Sequence, residues 1–299
     1  MFKYLILLGL VILAACSQNK NKVEPEKKNT ITLKKNIFNP LYVTALFDSP
    51  NNFGPIWNSD VILALKLKKV SLYVKGGRYK NNLSEKLTYS FNSAGKAKDF
   101  NHFLYNNSTS PFSNSGFTYD TKGFLEKIDV FKYMEFGNVP PILIRRDSAK
   151  TVVITSKNNN NFDSLIFYPT IENPKLIVEI VNHKVNSAEF LLEKGTSAEQ
   201  IQTLAKTLDS TLNIFAFSEK SLTYLEHDLP IESYRLGTNW NKQEKIKTWE
   251  YNENQYLINF SERLHGTLIK NIVINYDEEN LPTEIVIDRK RFIFYSSTK

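Results

Sequence analysis

The sequence predicts a mainly β protein. The expected form is an antiparallel hairpin meander making one large curved sheet, a sandwich or a half-barrel, with one amphipathic helix. Three observations predict it. Short runs of β-branched and aromatic residues recur along the chain, at residues 67–74, 87–91, 128–133, 151–155, 165–168, 176–181, 188–192, 222–225, 272–276, 284–287 and 291–295. Several alternate: Ile128 and Val130 flank Asp129, and Ile285 and Ile287 flank Val286, as in antiparallel sheets with one face on a core. Turn tetrads also follow aromatic residues at a fixed spacing.

From the N-terminus, Lys3 begins a charged n-region, residues 5–13 form an apolar h-region, and Ala14-Ala15 is a small-residue cleavage site. The uncharged run is far shorter than the ~20 residues a spanning helix needs. Residues 1–15 are therefore expected to be a signal peptide. Residues 16–36 are polar, aperiodic and rich in Lys and Asn, as in a disordered tether. Residues 37–299 form the β-rich domain, with a split near 158–161, at the four-Asn run, as the alternative. Residues 38–57, rich in Pro, Asn and Gly, read as a loop covering one end of the core. Residues 59–65 fit either a short helix capped by Ser59 or Asp60, or a lead into the first strand.

The helix is expected over about 197–212. Thr196 or Ser197 caps it, Gln200 sits where a capping box places it, and Ile201, Leu204, Ala205, Leu208 and Leu212 recur at helical spacing. Among the tetrads, Asn92-Ser-Ala-Gly95, Asp120-Thr-Lys-Gly123 and Asp277-Glu-Glu-Asn280 are the clearest; Asn252-Glu-Asn-Gln255 is a fourth. Asp or Asn at the first place bonds the backbone two residues on, and Gly or Asn at the fourth accepts positive φ. Asn92, Gly95, Asp120, Gly123, Asp277 and Asn280 are thus expected as structural turn residues.

The formal charge is +7, yet residues 17–35 carry +4 of it and the β-rich domain only +2. The excess belongs to the tether, so no nucleic-acid partner is expected. Cys16 is the only cysteine, which excludes disulfides and cysteine-ligated metals. The four histidines form no spaced ligand pair, and Glu226-His227-Asp228 is followed by a Leu-Pro turn. No nucleophile elbow or phosphate-binding glycine loop occurs. No catalytic, metal or cofactor-binding residue is assigned, and a non-enzymatic role is favoured. Trp57, Trp240 and Trp249 read as buried aromatic packing, with stacking on a sugar ring as the alternative.

Two resemblances add to this. Leu13-Ala14-Ala15-Cys16 resembles a bacterial lipobox, in which the signal is cut before the cysteine and the cysteine is acylated, with palmitate among its chains. That implies a lipoprotein held on a membrane through Cys16. Ser17, in place of Asp, resembles the sorting signal for an outer-membrane destination, here facing the periplasm. Tyr119-Asp120-x-x-Gly123-Phe-Leu125 resembles the YD-type repeat, and Tyr276-Asp277-x-x-Asn280-Leu281 is similar with Asn for Gly. That likeness implies hairpin geometry and no activity. The functional expectation is a lipid-anchored periplasmic lipoprotein acting as a binding or scaffolding module. One alternative is a half-barrel carrier of lipid or another apolar ligand. A second is a glycan-binding or glycan-active protein. The sequence identifies neither a protein nor an apolar-ligand partner.

Overall fold

A computed structural model describes residues 36–48, 54–75, 83–105, 108–132, 139–158, 161–208, 210, 213, 217–288 and 290–298. The expected signal peptide, Cys16 and the expected tether up to residue 35 lie outside the described residues.

The strands in chain order are β1 (Leu67–Lys75), β2 (Leu83–Phe91), β3 (Ala97–Phe103), β4 (Ser113–Tyr119), β5 (Leu125–Lys132), β6 (Ile142–Arg146), β7 (Thr151–Asn158), β8 (Asn161–Tyr168) and β9 (Leu176–Val181). They continue as β10 (Lys184–Glu193), β11 (Glu219–Glu226), β12 (Leu229–Leu236), β13 (Lys242–Tyr251), β14 (Leu257–Leu264), β15 (Thr267–Tyr276), β16 (Pro282–Ile287) and β17 (Lys290–Thr298). Each pairs with the next in an antiparallel ladder, save β10 and β11, which run parallel. β17 then returns to β1, pairing Phe292 with Val74 and Ser296 with Val70.

The meander is therefore a closed 17-strand barrel, not the open curved sheet, sandwich or half-barrel that the sequence suggested. Closure has a physical reason. An open sheet would leave the β1 and β17 edges with unpaired backbone groups, and pairing them satisfies both.

Closure creates a filling problem. Seventeen strands ~4.8 Å apart give a perimeter of about 80 Å and a mean width of ~26 Å, whereas two facing side-chain layers fill about 10 Å. The described parts of residues 36–65 occupy the difference. They comprise a 3-10 turn (Pro40–Tyr42), α1 (Ala45–Asp48), a second 3-10 turn (Gly54–Ile56) and α2 (Ser59–Ala64). This plug touches the wall on all sides. Tyr42 packs edge-on to Phe167 of β8, and its hydroxyl donates to the Ile171 carbonyl at 3.0 Å. Trp249 Nε1 of β13 donates to the Pro40 carbonyl at 3.0 Å. Phe47 meets Phe292 of β17, and Trp57 meets Tyr89 and Phe91 of β2. The segment read as a covering loop thus lies inside the main core, with Phe38, Leu46, Ile56 and Trp57 buried among inward-facing strand residues. Asn36 is buried as well: its Nδ2 donates to the Gln255 carbonyl, and its Oδ1 accepts from Leu257 N at 2.7 Å.

α3 (Ala198–Leu208) joins β10 to β11 across the outside of the wall. Its start is a reciprocal capping box: Gln200 N donates to Ser197 Oγ at 3.2 Å, and Ser197 N to Gln200 Oε1 at 2.7 Å. Ile201 and Ala205 are buried against Phe190, Leu222, Phe217 and Trp240, forming a second core. The helix is described only to Leu208, so Leu212 of its expected stripe lies outside the described residues. From Leu33 onward the chain is one compact unit. The four-Asn run sits at the β7–β8 hairpin, where Asn158 pairs with Asn161.

Candidate binding mouth

An up-and-down wall puts alternate turns at opposite ends. The tetrads Asn92–Gly95, Asp120–Gly123, Asn252–Gln255 and Asp277–Asn280 all fall at one end, because each follows a strand running the same way. Their chemistry is uniform. The first residue's Oδ1 accepts from the backbone N two and four places on: from Ala94 and Lys96, Lys122 and Phe124, Asn254 and Tyr256, and Glu279 and Leu281, all at 2.8–3.1 Å. The fourth residue is left-handed, with φ +70 at Gly95, +80 at Gly123, +65 at Gln255 and +63 at Asn280. Gly237–Trp240 adopts the same backbone at the opposite end with no Asx residue at its first place, so its pattern was not legible.

The plug enters at the turn end. Asn36 binds beside the Gln255 turn, and α2 sits on Gly95. The plug descends to Asp48, whose Oδ1 accepts from Lys270 Nζ near the opposite end of β15. From mid-height toward that opposite end, the inner face of β10–β13 is lined differently from the apolar half. Thr223, Ser233 and Lys247 stand in one cross-strand row, on the same face of their strands as Trp249, which reaches the plug. Thr223 Oγ1 donates to Glu189 Oε1 at 2.5 Å, and Lys247 Nζ lies 3.5 Å from Glu189 Oε2. Both charged side chains are about a quarter exposed, at 26% and 24%. Ser233 is fully buried, and its hydroxyl has no partner among the described residues. Toward the end of the lumen, Arg235 Nη1 is 3.4 Å from Glu244 Oε2, and Gly266 N donates to Glu244 Oε1 at 2.6 Å.

The electrostatics agree with an inward cluster. Burial raises the Tyr42 phenol well above its ordinary value, and the negative fields of Glu189 and Glu172 add to that. Across the lumen, His102 Nε2 and Glu85 Oε2 are 3.1 Å apart, and this hydrogen bond holds the Glu85 carboxyl below its usual range. The arrangement offers paired charges, hydroxyls and one buried hydroxyl with no partner among the described residues, all on the inner face of β10–β13. It suits a polar, hydrogen-bonding occupant. Sequence reading assigned none of these residues; Glu189, Thr223 and Lys247 each stand two places before an apolar Leu191, Leu225 or Trp249 on the same strand face, which was the available signal.

The other candidates resolve plainly. His227 and Asp228 are the two left-handed residues of the tight β11–β12 hairpin, with φ +53 and +64, and no metal-binding cluster occurs among the described residues. Trp57, Trp240 and Trp249 are all buried, which removes the exposed stacking platform of the glycan reading. Beneath α3 lies a packed side-chain core, where the carrier reading required an apolar cavity.

No family model and no curated protein matches this chain. Among solved structures, it is similar to a porin-like protein from Bacteroides uniformis ATCC 8492, at 8% identity and TM-score 0.26, covering 78% of this chain and 98% of that one. It is also similar to part of the Photorhabdus luminescens Tc holotoxin pore, at 11% identity and TM-score 0.16, covering 68% of this chain and 12% of that one. With TM-scores this low, neither likeness assigns a property to this chain.

Proposed function

We propose that this chain is a lipid-anchored, non-enzymatic binding module of the bacterial envelope, and that the mouth of the plugged barrel is its binding surface. The anchor is the acylated Cys16, with the body on the periplasmic side of the outer membrane. The observation that carries the binding role is Ser233 Oγ, buried without a partner in the row Thr223, Ser233 and Lys247 beside Glu189. A buried hydroxyl left unpaired costs about 1–3 kcal/mol, and an occupant of the mouth would satisfy it.

Two measurements test this. Cys16→Ser should move the chain from the membrane fraction to the soluble fraction and abolish a mass increase of acyl size; an unchanged distribution refutes the anchor. For the mouth, photo-crosslinking from position 233 in the intact envelope should capture a molecule that Lys247→Ala and Glu189→Gln both release. Equal capture from position 63, on α2 at the turn end, would refute the mouth as the site.

A further inference from the structure

Beyond the anchor and the mouth, the rim around the mouth has its own chemistry. Large apolar side chains left exposed collect at that end. Leu104 and Tyr105 follow β3, Phe131 lies near the end of β5, Phe162 is the second residue of β8, and Leu264, Leu268 and Ile269 flank the β14–β15 hairpin turn. Every one of these positions is at the end opposite the Asx tetrads. Among the described residues, only Leu63 and Phe124 of the exposed large hydrophobics sit at the tetrad end. Tyr105, Phe131 and Ile269 are 68%, 60% and 51% exposed, where apolar burial would favour covering them.

We infer that this rim rests on a lipid surface, with the apolar tips in the headgroup boundary and the mouth facing the membrane. The distribution of the side chains selects the occupant. They do not form one groove; they stand on separate hairpins spread around a ring, and a flat deformable surface reaches all of them at once. Tyr and Phe among the tips match the interfacial preference of aromatic rings. Charge is complementary too: Lys184, Arg263 and Lys290 lie at the same tips, against Glu219 and Asp288, and residues 17–35 add their +4. Cations of this kind favour anionic headgroups.

The tether permits the orientation although it joins the body at the tetrad end. Nineteen residues between Cys16 and Asn36 reach at most about 65 Å, more than twice the ~26 Å rise of an eight-residue strand. Anchoring at Cys16 therefore leaves the choice of end to the body, and the rim makes it.

The test uses the chain from residue 16 onward with Cys16→Ser, so that no acyl group contributes and failure of the lipidation reading cannot masquerade as failure of this one. Cosedimentation with vesicles of phosphatidylethanolamine, with and without phosphatidylglycerol, measures partition. Binding should rise with phosphatidylglycerol and fall with salt. The triple change Leu264→Ser, Leu268→Ser, Ile269→Ser should reduce partition by about tenfold or more, and Phe131→Ser should reduce it further. These side chains are already exposed, so the fold survives, as a circular dichroism melt of each variant would show. Leu63→Ser at the opposite end should bind as the parent does. Absence of binding to either vesicle, full binding by the triple variant, or an equal loss in Leu63→Ser overturns the proposal. So does rim-dependent capture of an envelope protein without vesicle binding.

Discussion

Gly95→Ala and Gly123→Ala together measure how firmly the plug is seated. Both glycines hold the left-handed place of the same turn, at φ +70 and +80. Each alanine should therefore incur the same left-handed penalty of ~1–2 kcal/mol. Their surroundings differ. A Cβ at Gly123 meets only Lys96 Nζ, at 3.1 Å, the far end of a flexible side chain. A Cβ at Gly95 would press into the Ser59 carbonyl oxygen and lie 2.8 Å from Leu63 Cγ, so α2 must shift. Overpacking of that kind adds about 1–3 kcal/mol. Gly95→Ala should thus lose ~2–5 kcal/mol and Gly123→Ala ~1–2 kcal/mol. Urea unfolding followed by circular dichroism, with a shared slope, gives both values. If the two variants agree to within ~0.5 kcal/mol, α2 does not rest on the Gly95 turn and the plugged barrel as described is wrong.

Further outcomes follow from other contacts. Tyr42→Phe leaves the buried Ile171 carbonyl without its donor and should cost ~1–2 kcal/mol in the same assay. Asp277→Ala removes the acceptor of two backbone N–H groups in an exposed turn and should cost about 1 kcal/mol, with Asp277→Asn close to the parent. The Glu85 carboxyl is held low in the folded state, chiefly by its hydrogen bond with His102. Its stabilisation is therefore present above the unfolded value near ~4.3 and is lost as pH falls through the lower folded value. Denaturation midpoints should drop less steeply below that pH in Glu85→Gln than in the parent; identical acid limbs would refute the contact.

How much of this was legible in the sequence depends on how local the cause is. The Asx tetrads and the α3 capping box are decided within five residues, by side chains bonding their own backbone, so their residue types announce them. The class of the fold was legible for the same reason, since alternation is local. β3, β4, β6, β12, β13 and β14 were not read as strands. β13, Lys-Gln-Glu-Lys-Ile-Lys-Thr-Trp-Glu-Tyr, explains why: one face meets solvent and much of the other meets the polar lumen, so the usual alternation is absent. Closure had no local sign, because nothing in residues 290–298 names residues 67–75 as partner. The plug was misread because Pro, Asn and Gly mark irregular backbone, and irregular backbone is usually outside. Here Asn39 N donates to the Ile56 carbonyl, Asn58 N to the Ile37 carbonyl and Trp249 to the Pro40 carbonyl, so its polar groups are satisfied from within. The mouth depends on both closure and plug, and was invisible for both reasons.

The parallel pair at β10 and β11 carries a further consequence, one of parity. In a ring where every neighbour runs opposite, directions alternate, and the count of strands must be even. Seventeen is odd, so at least one adjacent pair must share a direction, and this barrel has one such seam. A shared direction forbids a tight hairpin, because the chain must travel back before it can start again. α3 is that return path, and the apolar stripe that lets it lie on the wall is what founds the second core. The odd number, the helix and the outer core are thus a single topological commitment. A relative that gained or lost a whole hairpin would keep the seam; one that gained or lost a single strand would have to erase it or build a second.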